Sequence, residues 1–376
     1  MSTVTILCSD TSSNALGRAW VLAEILKDSF DVEIVGPRFH ENRWFPLRDY
    51  PGVTDVRIPI PPALILRVRE LVSAINGDVV YASKLRPSSF GIGLLARAAK
   101  QIKLALDIDD WEPGFFLDLP RFVRLVRFPL QFAHPNGFPY VSALEHLSRR
   151  ADFVSVASTP LQRRLGGFLL YHVRDTDILD PARYQAAKTR SELGLDGCYC
   201  VMFLGTPGEH KGLEELARAV AQSGVKELCL AIVGGVDNAW VKGIQGRYGS
   251  AVRILAQQPM ARLGEILSAA DLVCLPQQPS RYGSYQMPAK VFDAMAMAKP
   301  IIATQVSDLP YVLKNCGLIV PPSDTEALTE SILRLYRDPE LASQLGRRAR
   351  TRCIENFSFR SARRGLVPLF KQLVGE

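Results

Sequence analysis

Lysines beside a helix start or a glycine-rich loop are the side chains of this sequence best suited to bind an anion. Residues 285–304 predict a loop, a helix and a buried strand, with Pro288 at the first helical position and Lys290 in the first turn. The free N–H groups and positive dipole end of a helix start suit a pyrophosphate. A lysine opposes that dipole, so Lys290 indicates a nearby anion. An ordinary crossover helix with a solvated lysine is the alternative.

A second candidate is the loop of residues 205–212, between a predicted strand at 199–204 and a predicted helix at 213–222. A loop rich in glycine and proline that carries Lys211 can hold a diphosphate, and this contact would contribute about 1.5–3 kcal/mol. The loop differs from a P-loop, because Gly212 follows the lysine and no hydroxyl for magnesium stands there. A surface lysine is the alternative. Gly234 ends another predicted strand and leaves a ligand room to approach.

Acidic side chains follow the predicted strand at residues 103–106. Asp109 and Asp110 belong to an acidic cluster at 107–112, and ligands of open parallel sheets bind beyond the carboxyl ends of strands. Three interpretations are open: contact with substrate hydroxyls and a proton in transit, a divalent metal on a D-x-D motif, or loop carboxylates of which one caps a helix.

The loop after the first predicted strand, at residues 4–8, consists of small polar residues and ends at Asn14. Gly17 and Arg18 lie in the first turn of a predicted helix at 15–27. Such a loop lets a phosphate or a sugar approach closely, but it is not a G-x-G-x-x-G fingerprint. An ordinary helix-capping loop is the alternative.

Residues 115–140 combine basic and apolar side chains. Arg121, Arg124 and Arg127 share one arc of a predicted helix whose other positions are aromatic or aliphatic. This composition is typical of helices that lie in a membrane interface. It predicts peripheral contact with an anionic membrane; a lid or a core helix with a solvated face is the alternative.

Composition restricts the class of protein. The chain has 376 residues, of which 47% are hydrophobic and 22% charged, seven cysteines and a net charge of +7. The length predicts two domains, and no apolar run reaches the roughly 18 residues of a membrane helix. The cysteines lack metal-ligand spacing and fit reduced core thiols, and no signal-peptide core precedes the first strand. We expect a cytoplasmic protein with an anionic partner other than nucleic acid, whose binding signatures are missing.

Short apolar runs alternate with longer amphipathic runs through both halves of the chain. This alternation predicts an α/β fold with doubly wound parallel sheets. The predicted domains are residues 1–182 and 183–357, followed by a basic helix at 358–376. Ser323 to Glu326 predicts a capping box at the start of another helix.

Several motifs, in this order, resemble glycosyltransferase family four. They are GT…HKG at residues 205–212, VCLP at 273–276, FDAMAMAKPIIAT at 292–304 and GLIVPPSD at 317–324. The resemblance is specific over residues 201–357 and looser over residues 1–180. It implies the GT-B fold, in which two Rossmann-like domains face each other across a cleft and the final helix crosses back to the first domain. It also implies retaining transfer from a nucleoside diphosphate-sugar, which is a co-substrate, without a metal or a cofactor.

The resemblance assigns roles to residues. Lys211 binds the donor diphosphate, Asp293 accepts hydrogen bonds from the ribose, and the backbone around Ala289 and Lys290 meets the distal phosphate and the sugar. The base lies against residues 255–258, and the loop at 12–18 faces donor and acceptor. The predicted donor-binding residues are Gly205, Thr206, Lys211, Gly234, Gln258, Met287, Pro288, Ala289, Lys290 and Asp293. The catalytic candidates are Lys211, Asp109 and Asp110, and the first-domain loop contributes Asn14, Gly17 and Arg18.

Three positions depart from the family pattern. Tyr285 stands where the family has an acid, Thr206 stands where a basic residue is usual, and Asp109 occupies the strand end where many members have a histidine. We hypothesise that Lys290 and Arg281 replace the missing electrostatic contribution.

The sequence therefore predicts a glycosyltransferase with a glycan, a lipid-linked or a small-molecule acceptor, located in the cytoplasm or at the inner face of the membrane. A nucleotide-sugar epimerase of the same fold is one alternative. The other is a non-catalytic nucleotide-sugar-binding subunit of a glycan-assembly complex. The base, the sugar and the acceptor stay open.

Overall fold

The chain folds as two compact units, each of which combines segments that are distant in sequence. The structure is a computed structural model that describes residues 1–376. The first unit consists of Met1–His172, Ser284–Met287 and Phe359–Glu376, and the second consists of Val173–Gly283 and Pro288–Ser358. The sequence places the boundary later, after residue 182, and does not predict that the four residues 284–287 leave the second unit.

The N-terminal part of the chain alternates strands and helices. In chain order these are β1 Thr3–Cys8, α1 Ala15–Leu26, β2 Asp31–Arg38, β3 Val53–Arg57, α2 Leu64–Ser73, β4 Val79–Ser83, α3 Ile92–Lys100, β5 Lys103–Ile108, α4 Glu112–Leu117, α5 Arg121–Arg127, α6 Phe138–Leu147, β6 Phe153–Val156, α7 Thr159–Leu165 and β7 Phe168–Leu169.

The rest of the chain repeats this alternation and ends in helices. The elements are α8 Ala186–Glu192, β8 Tyr199–Leu204, α9 Leu213–Gln222, β9 Leu228–Val233, α10 Ala239–Tyr248, β10 Val252–Leu255, α11 Leu263–Ser268, β11 Leu272–Leu275, α12 Lys290–Ala296, β12 Ile301–Thr304, α13 Leu309–Val312, β13 Leu318–Val320, α14 Thr325–Arg337, α15 Pro339–Asn356 and α16 Phe359–Val374.

The first unit contains a seven-stranded parallel sheet in the order β3-β2-β1-β4-β5-β6-β7. Its central strands are buried along almost their whole length because helices cover both faces. On one face, Leu64 of α2, Ile92 of α3 and Leu144 of α6 join a single core with Leu7 and Leu106. On the other face, α1 packs against α16.

The second unit contains a six-stranded parallel sheet in the order β10-β9-β8-β11-β12-β13. α9 and α14 pack together over one face, where Leu216 and Ile332 are buried with Val201 and Ile232. Two doubly wound parallel sheets confirm the predicted fold class.

Three local predictions differ from the structure, and two elements are not predicted. Asp107 lies inside β5 rather than in the following loop, and α12 begins at Lys290, so Pro288 precedes the helix. The capping box is wrong: the Asp324 side chain accepts the hydrogen bond from Ala327 N, while the Ser323 hydroxyl donates to the Gln278 side chain. β3 and α2 were not predicted, because β3 carries charged residues and α2 follows a pair of prolines.

None of the helices combines the length and the apolar character that a membrane span requires.

Candidate functional site

The second sheet has a topological switch point between β8 and β11. From β8 the chain continues outward to β9 and β10, whereas from β11 it continues in the other direction to β12 and β13. Ligands of doubly wound sheets bind beyond the carboxyl ends of the strands at such a point. The two loops that leave these ends are residues 205–212 after β8 and residues 276–289 after β11, which are the two segments that the sequence singles out.

Gly212 joins the two loops at close range. Its backbone has φ +65°, and a Cβ at this position would lie 2.0 Å from the carbonyl oxygen of Pro276. The backbone N–H of Gln278 also donates to the carbonyl of His210 at 2.9 Å. Only glycine permits this approach, so the second glycine of the loop has a packing role, and the lysine beside it starts from a fixed backbone.

Lys290 spans the switch point. Its side chain crosses the bare backbone of Gly205, where a Cβ would lie 3.5 Å from Lys290 Cε, and Gly205 has φ +133°. Gly234 continues the same surface, since its Cβ would lie 3.1 Å from the carbonyl oxygen of Gly205. The glycine loop after β8, the end of β9 and the start of α12 therefore meet at half-buried backbone beside the Lys290 side chain.

Asp293 lies under this surface and is paired with an arginine that the sequence does not indicate. The carboxylate is fully buried, Arg174 Nε donates to Oδ1, and Lys290 Nζ lies 3.4 Å from Oδ2. Burial raises the pKa of Asp293, but the charges of Arg174 and Lys290 outweigh it and hold the pKa below its usual range. Oδ2 accepts no hydrogen bond. No local pattern around Arg174 predicts the pair, because 119 residues separate the partners.

The remaining donor-side candidates lie around the same loops. Lys211 and Ala289 are half-buried and Thr206 is exposed. Gln258 is half-buried after β10, where its amide accepts from Arg262 at 3.4 Å and donates to the carbonyl of Ala256 at 3.1 Å. Their assignment to a nucleotide sugar stays a prediction.

The first sheet has its own switch point, between β1 and β4. The loop after β1 and the loop after β4 are joined there, because the Ser88 hydroxyl donates to the carbonyl of Ser9 at 2.7 Å. The neighbouring β5 brings the acidic cluster to the same edge of the sheet.

Lys84, which the sequence analysis overlooks, organises the acidic cluster. Its buried ammonium lies 2.7 Å from Asp109 Oδ1 and 2.6 Å from Asp110 Oδ2, and its backbone has φ +78°. Arg86 pairs with Glu112 at 2.8 Å. β4 and β5 are neighbours in the sheet, so the basic residues after β4 lie beside the acidic residues after β5. The ion pairs can therefore be predicted from the sequence only if this strand pairing is known.

The electrostatics of this cluster leave Asp109 easily protonated. The pKa of Asp109 is raised to about 6: burial is the largest cause, Asp110 and Asp107 act in the same direction, and Lys84 and Arg18 oppose them. Both carboxylates pair with the same ammonium group, so Lys84 occupies the space between Asp109 and Asp110. No group of three or more His, Cys, Asp or Glu side chains in residues 1–376 is arranged to hold a metal ion.

Arg18 has a structural position rather than the ligand-facing one that the sequence predicts. Its guanidinium is buried, pairs with Asp107 through two hydrogen bonds of 2.7 and 2.8 Å, and donates to the carbonyls of Leu170 and Tyr171. These contacts tie α1 to β5 and to the chain beyond β7. The reason is that Asp107 belongs to the buried strand and requires a counter-charge.

The two other residues of this loop differ in exposure. Asn14 is exposed at the start of α1 and makes no capping hydrogen bond through its side chain. A Cβ on Gly17 would lie 3.1 Å from the ring of Trp44, so this glycine makes room for an indole. A ligand contact of either residue stays a prediction.

The tetrapeptide Ser284–Met287 adds to the acidic cluster of the first unit. The ring of Tyr285 lies 4.9 Å from that of Trp111, and the Gln286 amide donates to Asp110 at 3.1 Å. Tyr285, where the family pattern has an acid, is thus part of an aromatic contact in the first unit. Met287, a predicted donor contact, is buried in the same unit.

Residues 199–338 match the protein family described as Glycosyl transferases group 1. Among curated proteins, the chain is similar to MMP alpha-(1->4)-mannosyltransferase of Mycolicibacterium hassiacum, with 31% identity over 30% of this chain and 27% of the relative. It is also similar to alpha-maltose-1-phosphate synthase of Mycolicibacterium smegmatis, with 31% identity over 45% of this chain and 47% of the relative. The chain spans less than half the length of these two relatives.

Solved structures match the whole chain. Sucrose-phosphate synthase from Thermosynechococcus elongatus has a TM-score of 0.77 at 18% identity, with complete coverage of both chains. HepE of Anabaena, in complex with UDP-glucose, has a TM-score of 0.79 at 17% identity over 99% of this chain and 100% of that one. The chain has the GT-B fold. The resemblance to glycosyltransferases of the GT-B fold is therefore confirmed, while membership of family four and retention of configuration stay predictions.

Proposed function

We propose that this chain is a retaining glycosyltransferase that takes a sugar from a nucleoside diphosphate-sugar. One observation carries the proposal. Two candidate phosphate-binding segments, the loop of residues 205–212 and the start of α12, meet at the topological switch point of one sheet, with Lys290 lying over the backbone of Gly205. A GT-B fold and a match of residues 199–338 to Glycosyl transferases group 1 support the same activity.

The proposed chemistry depends on stabilising a diphosphate leaving group. As the bond between the sugar and the phosphate breaks, negative charge grows on the phosphate oxygens, and fixed positive groups stabilise it most when they are already in place. Lys211 and Lys290 supply this charge in the proposal. The carboxylate of Asp293, buried and held by Arg174, fixes Lys290 from below.

We assign the acceptor to the first unit. Asp109 and Asp110 lie at the carboxyl edge of the sheet on either side of Lys84. A carboxylate with a pKa of about 6 can accept the hydrogen bond of a sugar or lipid hydroxyl near neutral pH. In the proposal these two residues orient the acceptor hydroxyl.

A uridine nucleotide is the first donor to test. HepE of Anabaena is described in complexes with UDP, with UDP and glucose, and with UDP-glucose. We therefore propose UDP-sugars as the primary candidates, with GDP- and ADP-sugars as comparisons.

The test is a thermal-shift screen of the full chain against UDP-, GDP- and ADP-sugars, followed by product analysis with the ligand that binds. A donor at about 100 times its dissociation constant stabilises the folded protein by roughly 2.7 kcal/mol. Lys211→Ala should abolish most of this shift. Lys226→Ala, an exposed lysine before β9, is the matched control and should preserve it.

Three outcomes contradict the proposal in different ways. If no nucleotide sugar raises the unfolding temperature, the proposed donor site is wrong. A shift without turnover in the presence of acceptor mixtures favours the non-catalytic binding subunit. Conversion of the donor sugar into its epimer, without transfer, favours an epimerase.

A further inference from the structure

The segment that follows β5 and α4 exposes large apolar side chains together with arginines. Phe122 and Leu125 of α5 are each 75% exposed. The exposed apolar side chains of α5, of the 3-10 turn Pro129–Phe132 and of the residue between them are Phe122, Leu125, Val126, Phe128, Leu130 and Phe132. Three arginines interrupt them, and no Asp or Glu occurs at residues 119–144. The segment is therefore both strongly apolar and positively charged.

The packing of the first unit does not require this exposed apolar surface. Aromatic contacts on the inner side already hold the segment: the Phe116 ring stacks on Phe138 at 4.8 Å and lies 6.2 Å from Phe128. Phe122 and Leu125 are directed away from these contacts and are largely exposed. Large apolar patches on a protein surface mark sites of interaction.

A second exposed apolar run also follows the carboxyl edge of the first sheet. Ile65 and Leu66, at the start of α2, are 76% and 81% exposed. Arg67 and Arg69 follow them and are also exposed, with Arg67 paired to Glu70. The start of α2 follows the carboxyl end of β3, as α5 follows that of β5, and α2 and α6 join one core.

We propose that these two segments, residues 65–69 and 121–132, form a basic apolar surface that docks on an anionic lipid bilayer. Aromatic and aliphatic side chains enter the boundary between headgroups and acyl chains, while arginines beside them remain among the lipid phosphates. Arginine has a long apolar stem, which allows the charge to stay at the headgroups. The inference goes beyond the proposed glycosyl transfer and does not depend on it.

Charge distinguishes a bilayer from a second copy of the chain. A symmetric dimer through this surface would place Arg121, Arg124 and Arg127 of one copy against the same residues of the other, because an isologous interface uses the same patch twice. Like charges brought together oppose such a contact. An anionic bilayer instead compensates the charge and covers the apolar side chains.

The first experiment uses the wild-type chain and needs no substitution. Vesicles of phosphatidylcholine alone and of phosphatidylcholine with an equal amount of phosphatidylglycerol are sedimented with the protein at low and at high salt. We expect binding to the anionic vesicles at low salt, at least tenfold weaker binding to neutral vesicles, and loss of binding at high salt, because salt screens exposed charges.

Two variants then separate the apolar contribution from the basic one. Phe122→Ser with Leu125→Ser removes apolar surface, and Arg121→Glu with Arg127→Glu reverses charge; each should weaken binding to anionic vesicles by roughly tenfold or more. The matched controls are Tyr311→Ser with Ile354→Ser, and Arg337→Glu with Arg348→Glu, which change exposed residues of the second unit and should bind as the wild type does. Unchanged far-ultraviolet circular dichroism and unfolding temperature show that a variant is folded.

Several results would overturn the proposal. One is the absence of wild-type binding to anionic vesicles at low salt, and another is equal binding to neutral ones. A third is that the surface variants and the control variants bind alike. Self-association of the wild type that Phe122→Ser with Leu125→Ser abolishes, without any vesicle binding, would assign the surface to a second copy instead.

Discussion

Arg174 neutralises Asp293 inside the second unit. Arg174 Nε donates to Asp293 Oδ1 and the carboxylate is fully buried, while Arg174 also donates to the carbonyl of Val173 at 2.9 Å. The backbone N–H of Arg174 donates to the carbonyl of Phe357. The second residue of the second unit is therefore tied both to helix α12 and to the end of α15.

Removal of one partner of this pair should be costly. Arg174→Met removes the main counter-charge of a buried carboxylate and leaves Lys290, 3.4 Å from Oδ2, as its ion-pair partner. We expect a loss of about 3 kcal/mol in the free energy of unfolding. Replacing both partners, with Arg174→Met and Asp293→Leu, should recover more than half of this loss, because no charge then stays buried. Urea unfolding of the two variants measures both values. A double variant no more stable than Arg174→Met alone would show that the pair does not behave as a coupled unit.

Two glycines with the same backbone conformation should respond differently to alanine. Gly212 and Gly224 have φ +65° and +72°, but a Cβ on Gly212 would lie 2.0 Å from the Pro276 carbonyl oxygen, whereas nothing lies within 4 Å of one on Gly224. Gly224→Ala should cost about 1 kcal/mol, the price of the left-handed conformation alone.

Gly212→Ala should cost clearly more and should also weaken donor binding, because the loop of residues 205–212 must shift. Thermal unfolding and nucleotide-sugar titration check the two effects. Equal destabilisation by the two substitutions would contradict the close approach of the loops.

The charge of Lys290 should contribute more to the affinity for the donor than to the stability of the fold. Lys290→Met retains an aliphatic chain over Gly205 but removes the ammonium, so we expect nucleotide-sugar affinity to fall roughly tenfold to a hundredfold. The unfolding temperature should change little in comparison. Lys226→Met is the control for the general loss of a positive charge, and calorimetric titration measures both. If Lys290→Met binds the nucleotide sugar with wild-type affinity, the assignment of Lys290 to the donor site is wrong.

The acidic cluster should make stability depend on pH. Burial raises the pKa of Asp109 from 3.8 to about 6, so between about pH 4 and 6 the folded protein retains a proton that the unfolded chain has lost. The stabilisation that comes from protonated Asp109 is therefore fully present below about pH 4 and is lost as pH rises through 6. The free energy of unfolding falls by about 3 kcal/mol at most over this range.

Asp109→Asn should remove that slope, so that the wild type loses stability relative to the variant between pH 4 and 7. Asp49→Asn, an exposed aspartate of the same unit, should leave the slope unchanged. Urea unfolding at several pH values tests this. A parallel pH dependence of the wild type and Asp109→Asn would contradict the assignment.

The alternation of buried strands and helices was predictable because parallel strands covered on both faces carry continuous apolar runs. Thus β8 and α9 have the predicted bounds, and β9 ends directly before Gly234 as predicted. β3 was missed for the same reason: as an edge strand it has charged positions, and its sequence lacks the apolar run. The site segments around Lys211 and Lys290 were found because glycine loops and helix starts are local in sequence.

The partners of the buried charges could not be found locally. Arg18 and Asp107 are 89 residues apart, and Arg174 and Asp293 are 119 apart. The sequence predicts a ligand contact for Arg18 because a loop of small polar residues precedes it, and the resemblance implies that this loop faces donor and acceptor. The structure shows that the acid it meets belongs to the protein, and only the order of the strands brings the two together.

The last helix has a consequence for translation. Phe370 of α16 is buried in the first unit, with its ring 4.8 Å from that of Tyr81 and 5.6 Å from that of Phe153. A ribosome that makes about 5–20 residues per second needs roughly 10–40 s to proceed from residue 172 to the end of the chain. Residues 1–172 therefore have no α16 to pack against until the second unit has been synthesised, and Tyr81 and Phe153 lack the Phe370 contact during that interval.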